Sequence, residues 1–472
     1  MTNWLPDLST GSGPLYVRLA ERIEHDIAAG VLSAGSKLPP QRDLAYDLGV
    51  TIGTIGRAYG LVRERGLVSG EVGRGTYVLG GETAAIDASP ATLPEMPAGT
   101  RTMTPEPGKL RMDSTAATDV GQAALIERLA TQITREHPDE IASYTRTVPQ
   151  SWLDAGSRWL SSGSWAPQPG SIVPTLGAHA GILSVIAAVT APGDRIAYEE
   201  LTYSSMVRSA GLIGRRNVAV KIDGYGMDPD DFERICAQQH PKLAFLVPTL
   251  HNPTLAVMPL ERRRRIAEIA RKYNVWLIED DIFGALADSA PAAISELAPE
   301  RTFRVGSLSK AVSAGVRGGW VSCPPHFASR VLTAHKMVTG GMPFLLAELG
   351  ARLVLTEDAK AIQRAVSAEI EAREALARAT LAGVDFASHR NAPFLWVKLP
   401  EPWLSGTFKN AAADEGILID DEDEFKAGRT DQVYHRVRIG FSAPKSRQAV
   451  RDGLVTLRRL LDSGGTGYDS YG

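Results

Sequence analysis

Residues 80–112, GGETAAIDASPATLPEMPAGTRTMTPEPGKLRM, carry Pro90, Pro94, Pro97, Pro105 and Pro107 and show no helical or strand period. Proline lacks an amide donor and fixes φ, so neither a helix interior nor a central strand runs through such a stretch. The chain is thereby cut into a short folding unit before it and a long one after it. A linker of about thirty residues has a reach set by the extended-chain rise, which lets the two units stand well apart. At 472 residues the chain is in any case too long for one ordinary core.

Composition narrows the class. Hydrophobic content of 44% and charged content of 22% are ordinary for a soluble globular protein, and a net charge of −3 gives no overall electrostatic preference. Two distant cysteines, Cys236 and Cys323, argue against a disulfide framework and fit a reducing cytoplasm. The start, MTNWLPDLST, lacks a basic region followed by an apolar run, so no secretory signal is expected. No apolar run approaches the roughly 20 residues that span a bilayer. The cysteines and histidines show no zinc-ligand spacing, so no metal is expected.

In the short unit Leu15, Leu19, Ile23 and Ile27 recur every four residues, one face of an amphipathic helix that Gly30 ends. Leu44, Ala45 and Leu48 predict a short helix closed by Gly49. Thr51 can cap a second one whose apolar face is Ile55, Ala58, Tyr59 and Val62. Two short helices on a tight turn make a helix-turn-helix, and LVSGEVGRGTYVLG after it alternates like a hairpin with Gly-Arg-Gly at its tip. Residues 1–80 hold eight Lys+Arg against eight Asp+Glu, but residues 51–80 hold four against two, so the basic side chains favour the second helix and the hairpin. The blander reading is a small helical domain that binds protein.

LPPQRDLA, the phase of TIGTIGRAY, and VGRGTYV together resemble the winged-helix DNA-binding domain of the GntR regulator family, over residues 12–79. The resemblance implies that Arg42, Thr51, Thr54 and Arg57 contact phosphates or bases of double-stranded operator DNA, and that Arg74 reaches the minor groove from the wing. Ile52 and Gly53 stand where family members often carry a polar or basic pair, so base readout there is expected either to be weak or to rest on apolar contact with thymine methyls.

From residue 113 onward, β-rich runs at 195–198, 218–222, 243–247, 275–279 and 303–306 alternate with helical patterns such as 260–273. Several of these runs are continuously apolar, the pattern of parallel strands buried on both faces, so an α/β layered domain with ligands at the carboxyl ends of its strands is expected. The candidates for chemistry fall at those ends. TLGAHAGILSV (175–185) is a glycine turn opening a helix, where the amides of Gly177, Ala178 and His179 can cradle a phosphate. Tyr203 offers an aromatic face, and Asn252 in HNPT offers a side-chain amide. IEDDIFG (278–284) holds Asp280, though Glu279 and Asp281 would serve equally well as an acidic loop. SLSKAVSAGVRGGW (307–320) sets Lys310 after Ser307 and Ser309 and before Arg317. That is the setting of a lysine that forms a Schiff base with an aldehyde cofactor whose phosphate needs hydroxyls and a guanidinium. Arg438 in VRIGFS can grip a carboxylate. Taken singly, each is matched by an ordinary turn, core or surface residue.

In this order, the glycine turn, Tyr203, Asn252, Asp280, Lys310, Arg317 and Arg438 resemble fold-type I pyridoxal phosphate enzymes of the aspartate aminotransferase family, over residues 113–460. The resemblance implies that Lys310 forms the internal aldimine. Asp280 would pair the pyridine nitrogen, Asn252 the phenolic oxygen, and Tyr203 would stack on the ring. Ser307, Ser309, Arg317 and the amides of Ala178 and His179 would hold the phosphate. Arg438 would bind an effector carboxylate, and Tyr144 would reach the phosphate of the neighbouring subunit of a homodimer. Phe283 stands where many aminotransferases carry a tyrosine, and Leu255 follows Asn252-Pro253-Thr254 where glycine is usual. The acids at 420–424 read as a solvated loop, or, if they face the site, as a selector for a cationic amine or diamine.

The whole chain is thus expected to be a winged helix-turn-helix domain (12–79), a proline-rich linker (80–112) and an α/β aminotransferase-like effector domain (113–472). That fusion resembles the MocR/GabR-type transcription regulators. It implies a cytoplasmic, homodimeric, non-membrane protein that senses an amino acid or amine by external aldimine formation at Lys310. Two alternatives stay open: an active aminotransferase that also binds DNA, and a sensor of pyridoxal phosphate itself.

Overall fold

The computed structural model describes residues 4–8, 13–71, 75–79, 108–163, 165–428, 430 and 432–464. The chain divides into two units, Met1–Ala98 and Gly99–Gly472. In the first, helix Leu15–Ala28 buries Leu19, Ala20 and Ile23 against Ile55, Ala58, Tyr59 and Val62 of helix Ile52–Glu64, the faces set by the apolar periodicity. Between them lies the short helix Gln41–Asp47, which adds Leu44 and Ala45 to the same core. Gly49 turns the chain at φ +63, and Thr51 then caps the next helix, its Oγ1 accepting from the Thr54 amide at 3.2 Å. Strands Val68–Glu71 and Gly75–Val78 form the antiparallel hairpin, Val68 opposite Val78. Arg74, at its tip, lies outside the described residues.

The second unit is built on a seven-stranded sheet. Its strands run in the order Ile172–Leu176, Gly318–Ser322, Thr302–Ser307, Trp276–Asp280, Leu243–Leu246, Arg195–Glu199, Arg216–Val220. Helix Gly177–Val189 covers one face, and helices Pro229–Gln239 and Leu260–Lys272 cover the other, so the central strands are buried on both sides. The strands that the apolar runs marked pair in parallel, whereas Gly318–Ser322 pairs antiparallel with both its neighbours. A parallel return needs a crossover of a dozen or more residues, and the segment from Leu308 to Arg317 is too short for one. That short return is what leaves the Lys310 turn standing at the carboxyl end of the sheet.

A second sheet of four antiparallel strands, in the order Phe386–Ala387, Phe394–Lys398, Arg436–Gly440, Asp420–Asp421, brings Trp396, Arg438 and Asp420 into one cross-strand row. The expected linker ends sooner than residue 112. Leu110–Arg111 pairs parallel with Ile417–Leu418, the Leu110 amide donating to Gly416 O at 2.7 Å, and Met112 is fully buried. A two-residue strand has no period to betray it. Among the described residues no helix is long and apolar enough to cross a membrane.

Candidate functional site

Strand Thr302–Ser307 delivers the serine–lysine turn to the end of the sheet. Ser307 Oγ accepts from the Ser309 amide at 3.0 Å and donates to Ser309 Oγ at 2.9 Å, which locks the turn one residue before Lys310. Lys310 Nζ donates to Thr115 Oγ1 at 2.9 Å and stands 5.8 Å from the centroid of the Phe283 ring. Phe283 is buried and packs edge-on against Phe394, so the position that lacks a hydroxyl is filled by core packing.

The adjacent strand ends in three acids that the sequence could not tell apart. The structure separates them. Glu279 accepts from the amides of Ile294 and Ser295, both at 2.9 Å, on the helical layer. Asp281 is forked by Arg304 at 2.6 and 3.1 Å. Asp280 has no such cation clamped to it among the described residues. It is 1% exposed, and burial pushes its carboxyl up to about 7. The Ile282 amide and Lys310 pull the other way, while Asp281 and Glu199 add to the rise. Beneath the site His251 Nε2 lies 3.2 Å from Glu199 Oε2, and both are buried.

The glycine turn meets the lysine turn across the strand pairing, with Ser307 opposite Gly319 and Gly319 opposite Thr175. A Cβ on Gly319 would lie 2.8 Å from the backbone of Gly177, so only glycine lets the start of helix Gly177–Val189 approach. Gly177 itself sits at φ +75, and the amides of Ala178 and His179 fall in the first turn, where the helix leaves its donors unused. Arg317, at φ +55, reaches across to Leu176 O at 3.4 Å. From behind, His335 Nε2 accepts from the Leu176 amide at 3.1 Å, and burial holds its imidazole down at about 4, neutral and able to accept. Ser307, Ser309, Arg317 and the helix start are therefore brought to the same end of the sheet.

Tyr203 is placed by the chain just before helix Ser204–Leu212. Its hydroxyl is 3.3 Å from His179 Nδ1, and the two rings meet at 84°. His179 Nε2 is 3.1 Å from Ser209 Oγ, and burial, aided by the Arg317 charge, lowers the imidazole's pKa. So the side chain of His179 braces Tyr203.

Arg438 is buried at the centre of the second sheet and is already engaged. Its Nε donates to Asp420 Oδ2 at 3.1 Å, and Nη2 donates to the same oxygen. Nη1 donates to Asn252 Oδ1 at 2.8 Å, and Nη2 also to Asp113 O at 3.0 Å. With its carbonyl oxygen taken, Asn252 presents its amide donors, the polarity a phenolic oxygen requires. The acids at 420–424 are not a solvated loop: Asp420 and Glu422 are buried, and Asp421 and Glu424 pair with Lys409 and Arg208. Tyr144 is 88% exposed and so is not part of this cluster.

Three contributors escaped the sequence reading: Thr115, His335 and Ser209. Each acts across a gap in sequence, with Thr115 and Lys310 lying 195 residues apart. Asp420 was read only as one acid of the run at 420–424, although its strand pairs directly with that of Arg438. In the N-terminal unit Arg42, Thr51 and Arg57 are exposed and Thr54 is half-buried, while Ile52 is 50% exposed at the start of its helix. The Arg57 guanidinium lies 5.9 Å over the Tyr16 ring.

Comparison with known proteins agrees with both halves. The family model for aminotransferase class I and II matches residues 117–454, and that for bacterial regulatory proteins of the gntR family matches residues 15–78. The chain is 29% identical over 465 residues to the uncharacterized HTH-type transcriptional regulator YdeF of Bacillus subtilis (strain 168), covering 98% of this chain and 97% of that one. It is 24% identical over 479 residues to the uncharacterized HTH-type transcriptional regulator YdcR of Escherichia coli (strain K12), covering 94% and 99%. Among solved structures, the alpha-aminoadipate aminotransferase LysN from Thermus thermophilus, complexed with N-(5'-phosphopyridoxyl)-L-leucine, superposes with a TM-score of 0.68 at 20% identity, over 76% of this chain and 93% of that one. The fold of the second unit is that of the pyridoxal phosphate-dependent aminotransferases.

Proposed function

Since the chain belongs to the aminotransferase class I and II family and joins it to a GntR-family helix-turn-helix domain, as MocR-type transcription regulators do, we propose that it is an operator-binding regulator that senses a primary amine through pyridoxal phosphate. The residues present fit that cofactor. Gly177 and Gly319 leave a backbone-lined cradle that a Cβ would fill, with Arg317, Ser307 and Ser309 beside it to hold a phosphate. Asp280, buried without a clamped cation, suits a pyridine nitrogen that must stay protonated. Asn252, its carbonyl oxygen taken by Arg438, keeps its amide donors for a phenolic oxygen, and Tyr203 would stack on the ring. When bound, pyridoxal phosphate supplies an aldehyde that condenses with a primary amine, either that of Lys310 or that of an effector.

The observation that carries the regulatory reading is where Lys310 rests. Its partner Thr115 lies a few residues after the proline-rich stretch, in a segment pinned to the site at several points: Asp113 O by Arg438, the Ala117 amide by Ser309 O at 2.9 Å, and Met112 O by the Gly440 amide at 2.7 Å. A lysine held in place and a lysine released therefore make different contacts with the segment that leads back toward the DNA-binding domain. A switch requires such a difference in interaction between its two states. Arg42, Thr51, Thr54, Arg57 and Arg74 would contact the operator, Tyr144 would serve the neighbouring subunit of a homodimer, and operator binding implies a cytoplasmic protein. The free, buried Cys236 and Cys323 fit that compartment.

The test is the visible absorbance of the purified full chain with pyridoxal phosphate. Wild type should develop a bound-cofactor band that Lys310→Ala lacks. No band in wild type would sink the reading of the large unit. Keto-acid formation on adding amino acids would instead favour an active aminotransferase, for which Phe283 offers no hydroxyl.

A further inference from the structure

We propose that the effector is a primary amine with no carboxylate next to its amino group, because this chain supplies the carboxylate itself, as Asp420. The inference rests on the amine-sensing reading above and narrows its ligand. Arg438 is the cation that a ligand carboxylate would need. Two faces of its guanidinium, Nε and Nη2, are turned to Asp420 Oδ2, while Nη1 serves Asn252 and Nη2 also serves Asp113 O. Asp420 is its direct cross-strand partner, so the pairing is set by strand register rather than by a mobile side chain. Both residues are nearly fully buried, at 2% and 4% exposure.

Charge decides the consequence. Arg438 and Asp420 together are neutral. A ligand carboxylate must either pull Asp420 off the arginine, stripping a buried carboxylate of that cation, or settle beside it as a second buried anion. Both are heavily penalised away from water. An amine without a carboxylate requires neither and still presents the nitrogen that competes with Lys310. The neighbouring acids do not share this role. Asp421 pairs with Lys409, and Glu422 accepts from the Tyr434 and Arg436 amides at 3.1 and 3.2 Å. Asp420 alone sets the selection.

The test uses the full chain loaded with pyridoxal phosphate and follows its visible absorbance during titration with matched pairs: tyrosine and tyramine, serine and ethanolamine, phenylalanine and phenethylamine. Each pair differs by one carboxylate. The amines should shift the band at concentrations roughly a hundredfold below their amino-acid partners, the size expected from uncovering one buried charge. Amino acids acting at equal or lower concentration would overturn the proposal while leaving amine sensing intact. A protein that forms no cofactor band at all would instead refute the underlying reading. Asp420→Asn, which removes the charge and keeps the shape, should narrow the gap within each pair by about tenfold or more; an unchanged gap would show that Asp420 is not the selector. The wild-type comparison decides the matter without the variant should Asp420→Asn fold poorly.

Discussion

Replacing Asp280 with asparagine should make the cofactor-free protein more stable, and the gain should depend on pH in a defined way. Burial, partly offset by the Ile282 amide, pushes the folded-state carboxyl from an unfolded value of 3.8 up to about 7. Below pH 3.8 the group is protonated in both states and costs nothing. Between the two values the unfolded chain gives up its proton first, so the folded state binds more protons and stability falls as pH rises. Above the folded value the full cost is in place: about three pH units at 1.36 kcal/mol each, or ~4 kcal/mol. Asparagine keeps the side-chain shape and carries no charge, so the difference between the two proteins isolates this one titration. Urea unfolding of both proteins without pyridoxal phosphate, at a series of pH values from acid to slightly alkaline, measures it. The advantage of Asp280→Asn should be near zero in acid and reach a few kcal/mol above neutrality. Pyridoxal phosphate should erase it, because a protonated ring nitrogen is the partner that the wild-type carboxylate wants. An advantage that is flat with pH, or that grows toward acid, would refute the assignment of Asp280 as the buried, cation-seeking group.

Gly319→Ala would set a Cβ 2.8 Å from the Gly177 backbone, so it should cost about 1–3 kcal/mol by overpacking and weaken pyridoxal phosphate uptake in an absorbance titration. Gly315→Ala, whose nearest neighbour would be Ser313 Oγ at 3.9 Å, should do neither. Thr51→Ala removes the cap on helix Ile52–Glu64 and should lower the melting temperature of the N-terminal unit by the equivalent of about 1 kcal/mol. Arg57→Ala should weaken DNA binding evenly across sequences and reduce the slope of log affinity against log salt by about 1, as measured by fluorescence anisotropy.

The sequence carried the helix-turn-helix almost whole, because Ile55, Ala58, Tyr59 and Val62 are a helical face and Thr51 is a cap, both local signals. The strand ends were legible for the same reason: a short apolar run followed by Asp280 or Ser307 needs no distant partner to be noticed. What stayed hidden depends on neighbours far along the chain. Of three consecutive acids, Arg304 engages Asp281 and the amides of Ile294 and Ser295 engage Glu279, contacts that no local pattern announces. The antiparallel return at Gly318–Ser322 follows from a connection length rather than from residue type. Asp420 looked like one acid in a run, and only strand register singles it out against Arg438. Thr115 fell just beyond a linker set three residues too long.

The most direct test of the whole account is the affinity of the full chain, loaded with pyridoxal phosphate, for the DNA upstream of its own gene, with and without a primary amine that shifts the cofactor band. Wild type should change its affinity or its footprint when the amine is added, while Lys310→Ala under the same conditions should bind the DNA and ignore the amine. An equal response in Lys310→Ala, or an unchanged footprint in wild type, would contradict a lysine that acts as the trigger of the switch.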